Sequence, residues 1–227
     1  MPTPKTGYRL ADGTRVPGTT TIISRFKDSG GLIHWAWEQG RDGLDYRSTR
    51  DSAADAGTLG HFLVEQHIKG ISVDNAIREF NETVDTKEMD RSIADRAIKA
   101  FHSYLAWESM TKLKIVEQEM LLVSEEYKFG GTPDAVGEIG GELCLLDWKT
   151  GNALYRDALI QVAAYKHLWD ENHPDRIITG GFHICRFSKE HGDFVHAHYD
   201  ELELAWRQFV LLREAYEIDK SLKKRAA

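Results

Sequence analysis

Gly131-Thr132-Pro133-Asp134, followed after twelve residues by Asp147-Trp148-Lys149-Thr150, is the stretch on which the fold turns. Asp147 and Lys149 stand two apart after the apolar run Leu143–Leu146, so on a strand their side chains share one face at the edge of a core. Asp134 follows a Gly-Pro bend and is expected on the neighbouring strand, at the same level. Two carboxylates and one ammonium then converge. Two carboxylates suit a hard divalent cation bound through oxygen. Such a cation polarises a phosphate and acidifies a water, and a lysine can orient that water or stabilise developing charge. A bare Asp-x-Lys triplet is more often a surface ion pair. The Pro-Asp upstream and the hairpin spacing favour chemistry, of the kind that hydrolyses phosphodiesters.

Outward from this stretch the hydrophobic period changes. Lys114–Glu125, Lys128–Ile139 and Glu142–Thr150 read as three consecutive strands with glycines in the turns. Arg156–Glu171 returns to helical period. Arg176–Phe187 and Asp193–Tyr199 read as a strand pair around Glu190–Gly192. Asp200–Lys224 reads as a long helix, acidic at its start and basic at its end. Upstream, residues 7–17 read as a hairpin turning at Asp12-Gly13. Helices are expected over Thr19–Phe26, Gly31–Gly40, Asp51–Lys69, from Ser72, and over Thr86–Glu108, the last with Asp85 and Glu88 spaced as a capping box. Gly57 and Gly60 weaken the first half of the Asp51–Lys69 helix. This order predicts an α/β architecture with a helical N-terminal elaboration.

The chain has 227 residues, 41% hydrophobic and 10% aromatic, which supports a packed core rather than a disordered chain. Its formal charge of -7 excludes a protein that coats duplex nucleic acid over its whole surface, so any such partner must sit in a local groove. Cys144 and Cys185 are expected as buried reduced thiols, and two cysteines cannot hold an iron–sulfur cluster by themselves. Met1 to Leu10 is polar, without the apolar core of a secretory signal, and no apolar run approaches a membrane span. The expectation is a cytoplasmic protein with no membrane partner.

Pro133-Asp134 with Asp147-Trp148-Lys149 resembles the signature of the PD-(D/E)XK nuclease superfamily. Gln161-Val162-Ala163-Ala164-Tyr165 resembles the Q-x-x-x-Y motif of its RecB-like branch, and Gln161 and Tyr165, four apart, share one helical face. Gly57-Thr58-Leu59-Gly60-His61 resembles that branch's G-x-x-x-H helix, with Glu65 one turn on. More loosely, Val16–Ile23 and Trp35 resemble the N-terminus of mitochondrial genome maintenance exonuclease and related phage exonucleases. The strong motifs lie in 57–165.

The resemblance implies a restriction-endonuclease-like core, a central mixed sheet flanked by helices. It implies one nuclease domain over 1–227: a mainly helical part, 1–110, carrying His61, and an α/β catalytic core, 111–227. It further implies a Mg²⁺- or Mn²⁺-dependent DNA exonuclease preferring free ends or single strands, of the kind used in DNA repair and recombination by bacteria or phage. His61, Asp134, Asp147 and the backbone carbonyl of Trp148 would ligate metal, with Glu65 behind them. Lys149 would be the base or water-orienting group, and Thr150, Gln161 and Tyr165 would position the strand. Asp147 is the less common acid in the wider superfamily, and the cysteines of its cluster-bearing relatives are absent.

Rival readings are a structure-selective endonuclease on the same scaffold and a non-catalytic nucleic-acid-binding protein. His196 and His198 share a strand face near His183 and His191 and raise zinc as an alternative, but no cysteine or acid has matching spacing. One of Glu117 and Glu119 could approach the metals. Lys112, Lys114 and Lys128 could touch phosphates. Trp148 could stack on unpaired bases; Trp35 and Trp37 are expected in the core.

Overall fold

The computed structural model describes residues 7–83 and 90–226. Strands β1 (Tyr8–Arg9) and β2 (Arg15–Val16) form the expected hairpin, with Gly13 at φ 85° in its turn. Helices α1 (Thr19–Arg25), α2 (Gly30–Arg41), α3 (Tyr46–Ile68), α4 (Val73–Thr83) and α5 (Arg91–Thr111) follow. α3 starts at Tyr46 rather than Asp51, because the Asp45 carboxylate caps it by accepting from Arg47 N at 3.0 Å. Asp90 caps α5 in the same way through Ser92 N. The Asp85–Glu88 pair lies outside the described residues.

The rest of the chain is β3 (Lys114–Gln118), β4 (Leu122–Ser124), β5 (Phe129–Gly131), β6 (Ala135–Ile139), β7 (Glu142–Lys149), α6 (Arg156–Asn172), β8 (Phe182–Phe187), β9 (Phe194–Tyr199) and α7 (Glu203–Ala226). Five strands form one mixed sheet in the order β3-β6-β7-β8-β9. β7 and β8 pair in parallel across the α6 crossover, and the other pairings are antiparallel.

Two of the expected strands are each split. Glu119 takes a left-handed backbone, φ 51°, which ends β3 and sends the chain into the separate β4–β5 hairpin. On the return, Pro133 has no N–H to give a ladder, so β5 stops at Gly131 and β6 begins only at Ala135. Asp134 therefore lies just outside the strand. Pairing extends one bond further, from Glu119 N to Asp134 O at 3.1 Å. The strand expected from Arg176 begins at Phe182, because Thr179 and Gly180 both donate to Leu143 O and Gly181 has φ 71°.

The alternation of β7 sets the two faces of the sheet. Leu145 joins Val136, Phe129, Leu168, Trp169 and Phe209 in a core beneath α1, α6 and α7. Leu146 and Trp148 join Leu59, Leu63, Tyr104 and Trp107 in a second core beneath α3, α4 and α5. Trp148 is 3% exposed and meets Tyr104 and Trp107 edge-on at 5.5 and 5.3 Å. It is a core residue, closed to base stacking. The expectation for α2 is overturned in the other sense. That helix buries none of its residues, Trp37 is 60% exposed and Trp35 is half-buried. Both cysteines are buried free thiols. Among the described residues no helix is long and apolar enough to cross a membrane.

Candidate active site

β7 carries Asp147 and Lys149 on the face that looks at α6, as the period of two requires. Lys149 Nζ lies 2.6 Å from Asp147 Oδ2 and donates to Gln161 Oε1 at 3.1 Å. Gln161 Nε2 in turn donates to the Tyr165 hydroxyl at 2.8 Å. The acid–lysine pair and the Gln-x-x-x-Tyr motif are thus one connected chain of groups. Gln161 is half-buried, whereas Tyr165 is packed in the core and only its hydroxyl reaches the chain. Burial raises the Tyr165 phenol well above its ordinary range.

Asp134, at the mouth of β6, turns back onto β7. Its Oδ2 accepts from Trp148 N at 2.6 Å, a charge-assisted bond that fixes the carboxylate. Its other oxygen lies 3.9 Å from His61 Nδ1. His61 reaches the site from α3 because that helix lies close against the end of β7. At Gly57 a Cβ would stand 2.7 Å from Thr150 Oγ1. The glycine that weakens the helix in sequence terms is what lets Thr150 dock.

Both oxygens of Asp147 and Nδ1 of His61 are buried without a hydrogen-bond partner. Lys149 lies close enough to Asp147 for strong attraction, and its ammonium is shared with Gln161. Burial pushes the Asp147 carboxyl up to about 6, against the pull of Lys149. Burial, with the positive charge of Lys149 among its neighbours, drives the His61 imidazolium down to about 3. His61 is therefore a neutral imidazole with a free nitrogen. Buried polar atoms left unpaired are costly, and these belong to one carboxylate and a neutral imidazole, with the Asp134 carboxylate beside them. That is chemistry fit for a divalent cation. Among the described residues no three His, Cys, Asp or Glu side chains are already gathered at ligating distance, so a cation would have to draw them in.

Of the two glutamates expected on one strand, Glu117 lies in β3, and Glu119, just past its end, is the one near Asp134. Burial, then the charges of Asp134 and Glu65, push its carboxyl up to about 9. Glu117 faces away and pairs with Arg176 and, at 3.9 Å, with His173. Glu65, behind His61 in the sequence reading, has its carboxylate held by Lys69 at 2.5 Å. The histidine cluster is real, running from buried His183 to exposed His198, which lies 3.7 Å from Asp200. His183 Nδ1 meets His196 Nε2 at 2.7 Å, and the Nε2 atoms of His183 and His198 lie 3.2 and 3.0 Å from Gly180 O. Those nitrogens are engaged with each other and with a carbonyl, which disfavours zinc there. Tyr8 and Lys189 were not singled out in the sequence. Tyr8 is buried and its hydroxyl bonds Thr132 Oγ1 at 3.0 Å. No local pattern marks either residue, since both reach the site through long-range packing.

The chain thus places an acid pair and a lysine at the ends of the central strands of a mixed sheet, with a helical histidine beside them. The model of the PD-(D/E)XK nuclease superfamily matches residues 7–222, and the chain belongs to that superfamily. Two solved structures are similar to it. One, a protein of Eubacterium rectale provisionally named an exonuclease, has 16% identity and a TM-score of 0.48, over 70% of this chain and 68% of that one. The other, SSO0001, has 13% identity and a TM-score of 0.33, over 71% of this chain and 72% of that one. No curated protein matches the chain by sequence.

Proposed function

We propose that the protein is a divalent-metal-dependent DNA exonuclease, acting at free ends or on single strands. The observation that supports this most is the buried Asp147 carboxylate, its charge met by Lys149 at 2.6 Å, beside His61 Nδ1, which is buried without a hydrogen-bond partner. Asp134, Asp147, His61 and the Trp148 carbonyl are the donors that would hold Mg²⁺ or Mn²⁺. Bound there, the cation would supply Lewis-acid polarisation of the scissile phosphate and a water acidic enough to attack at neutral pH.

The chain's own residues do the remainder. Trp148 N holds Asp134 in one rotamer. Gln161 holds the Lys149 ammonium above Asp147, where it can orient the attacking water and meet the charge that builds on phosphate. Tyr165 fixes the Gln161 amide from below, and Thr150 sets the end of β7 against α3. The helical part and the α/β core act as one catalytic unit, since the histidine comes from the first and the acids from the second.

End-labelled linear DNA and closed circular DNA, incubated with and without Mg²⁺, test this reading. Mg²⁺-dependent loss of the linear form alone is expected. Cutting of the circle would make the protein an endonuclease. Loss of neither substrate, in Mg²⁺ or Mn²⁺, would contradict the proposal.

A further inference from the structure

Lys189 has no part in the chemistry above. It sits in the turn after β8, is 8% exposed, and Nζ donates to Ala53 O at 2.6 Å. Lysines this buried are normally paired with a carboxylate. Among the described residues none forms an ion pair with Lys189, and the adjacent Glu190 is engaged by Arg96. One ammonium has three donors, and Ala53 takes one. The residue lines a cavity of about 470 Å³ with Ala53, Gly57, His61, Thr150 and Gly151. Ala53, Gly57 and His61 are successive turns of one face of α3, small until the histidine. The cavity is of the size that holds a small ligand, enough for a nucleotide unit. It opens onto the proposed metal ligand His61. A buried cation with no ion-pair partner among the described residues, its neighbour Glu190 drawn off by Arg96, beside a wall of small residues leading to the proposed cleavage centre, calls for an anion.

We propose that Lys189 binds a non-scissile phosphate of the substrate strand, held in the α3–Thr150 cavity next to the cleavage centre. The inference rests on the nuclease reading for its substrate class. It adds a substrate-binding residue on the side of the site opposite Gln161 and directs the strand along α3.

The test is fluorescence anisotropy with a labelled single-stranded oligonucleotide in EDTA, across a salt series, for wild type, Lys189→Met and Lys189→Arg. Steady-state cleavage in Mg²⁺ and thermal melts accompany it. Methionine keeps the apolar stem and removes the charge. Lys189→Met is expected to weaken binding about tenfold and to lower the salt slope by about 0.7, the share of one phosphate on a single strand. Its KM should rise more than its kcat falls, while Lys189→Arg keeps the wild-type slope. If Lys189 serves only to tie down Ala53, Lys189→Met melts lower but keeps the wild-type Kd, slope and KM, and the proposal is overturned. Wild type that binds but does not cleave defeats the nuclease reading while leaving the anisotropy comparison decisive for Lys189. Wild type that does not bind the strand in EDTA overturns the Lys189 proposal and leaves the nuclease reading to the cleavage assay.

Discussion

Asp147 and Lys149 stand on one face of β7 with Oδ2 and Nζ 2.6 Å apart, and the same ammonium is shared with Gln161. An exposed pair in this relation would contribute about 1 kcal/mol or less. Here the carboxylate is 1% exposed, so its charge is costly and the lysine offsets only part of that cost. A second cation near Asp147 would relieve it further.

That imbalance predicts metal affinity. Titrating Mn²⁺ into the protein by calorimetry should show binding that Asp134→Asn and Asp147→Asn each weaken by about a hundredfold or more, and His61→Ala by about tenfold or more, taking the loss on removing a supporting residue as the lower bound. Unchanged affinity in both acid variants would place the metal elsewhere, and transfer of the effect to His196→Ala and His198→Ala would restore the zinc-type alternative.

The buried carboxyls predict how stability of the metal-free protein varies with pH. Glu119 has its ordinary value near 4.5 when unfolded and about 9 when folded. Between those values the folded state holds a proton that the unfolded state has lost, so stability falls as pH rises. The fall is at most about 1.4 kcal/mol per pH unit. Glu119→Gln removes this dependence. In EDTA it should melt several degrees above wild type at pH 8, at about 2–4 °C per kcal/mol for a chain this long, with the difference shrinking towards pH 4. Asp147→Asn should behave likewise over the narrower window that ends near 6. Calorimetric melts from pH 4 to 9 check both, and a pH-independent difference would contradict the assignment.

Gly57 against Thr150 predicts a reversal of sign. In an open helix Gly→Ala stabilises by about 1 kcal/mol. At Gly57 the new Cβ would meet Thr150 Oγ1 at 2.7 Å, and overpacking of this kind costs about 1–3 kcal/mol. Gly57→Ala should therefore lower the melting temperature in wild type and raise it in a Thr150→Ala background. Denaturant melts of the four proteins give the coupling, and additive effects would mean that α3 and β7 are not so closely docked.

The site shows what the sequence did and did not make legible. Alternation placed Asp147 and Lys149 together, the Pro-Asp pair placed Asp134 beside them, and helical spacing placed Gln161 with Tyr165. Each is a local period, readable from neighbours in the chain. The left-handed backbone at Glu119 was not legible, because a glutamate carries no signal for positive φ and the break depends on how β4 and β5 pack. Nor was the exposure of α2: Trp35 and Trp37 look like core residues by composition, and only the packing of the other helices shows the core complete without them. Gly57 was read as a weakness because propensity says nothing about which helix must approach which strand. Lys189 and Tyr8 reach the site only through tertiary contacts across the fold.

Gln161 predicts a split between binding and turnover. Gln161→Ala removes the acceptor of Lys149 and the donor to Tyr165 while leaving every proposed metal ligand in place. Cleavage should drop by about tenfold or more, the scale of a hydrogen bond to a charged group, with Mn²⁺ affinity unchanged. Tyr165→Phe should cause a smaller loss. Loss of metal from Gln161→Ala would mean that the residue builds the metal site rather than positioning the lysine.

Lys149→Ala tests the central claim most directly. The side chain ends at the site, half-buried, and no core contact depends on it. Its removal leaves Asp147 without its counter-charge, so the metal-free protein should melt lower at neutral pH, while Mn²⁺ still binds and restores much of that loss. The substitution should also cut Mg²⁺-dependent cleavage of end-labelled DNA by about a hundredfold or more, the scale of one charge-stabilising group lost from a transition state. Lys149→Arg should not restore the rate, because a guanidinium is broader and stays protonated. If Lys149→Ala cleaves DNA at the wild-type rate, the lysine is only an ion-pair partner of Asp147 and the catalytic site proposed here is wrong.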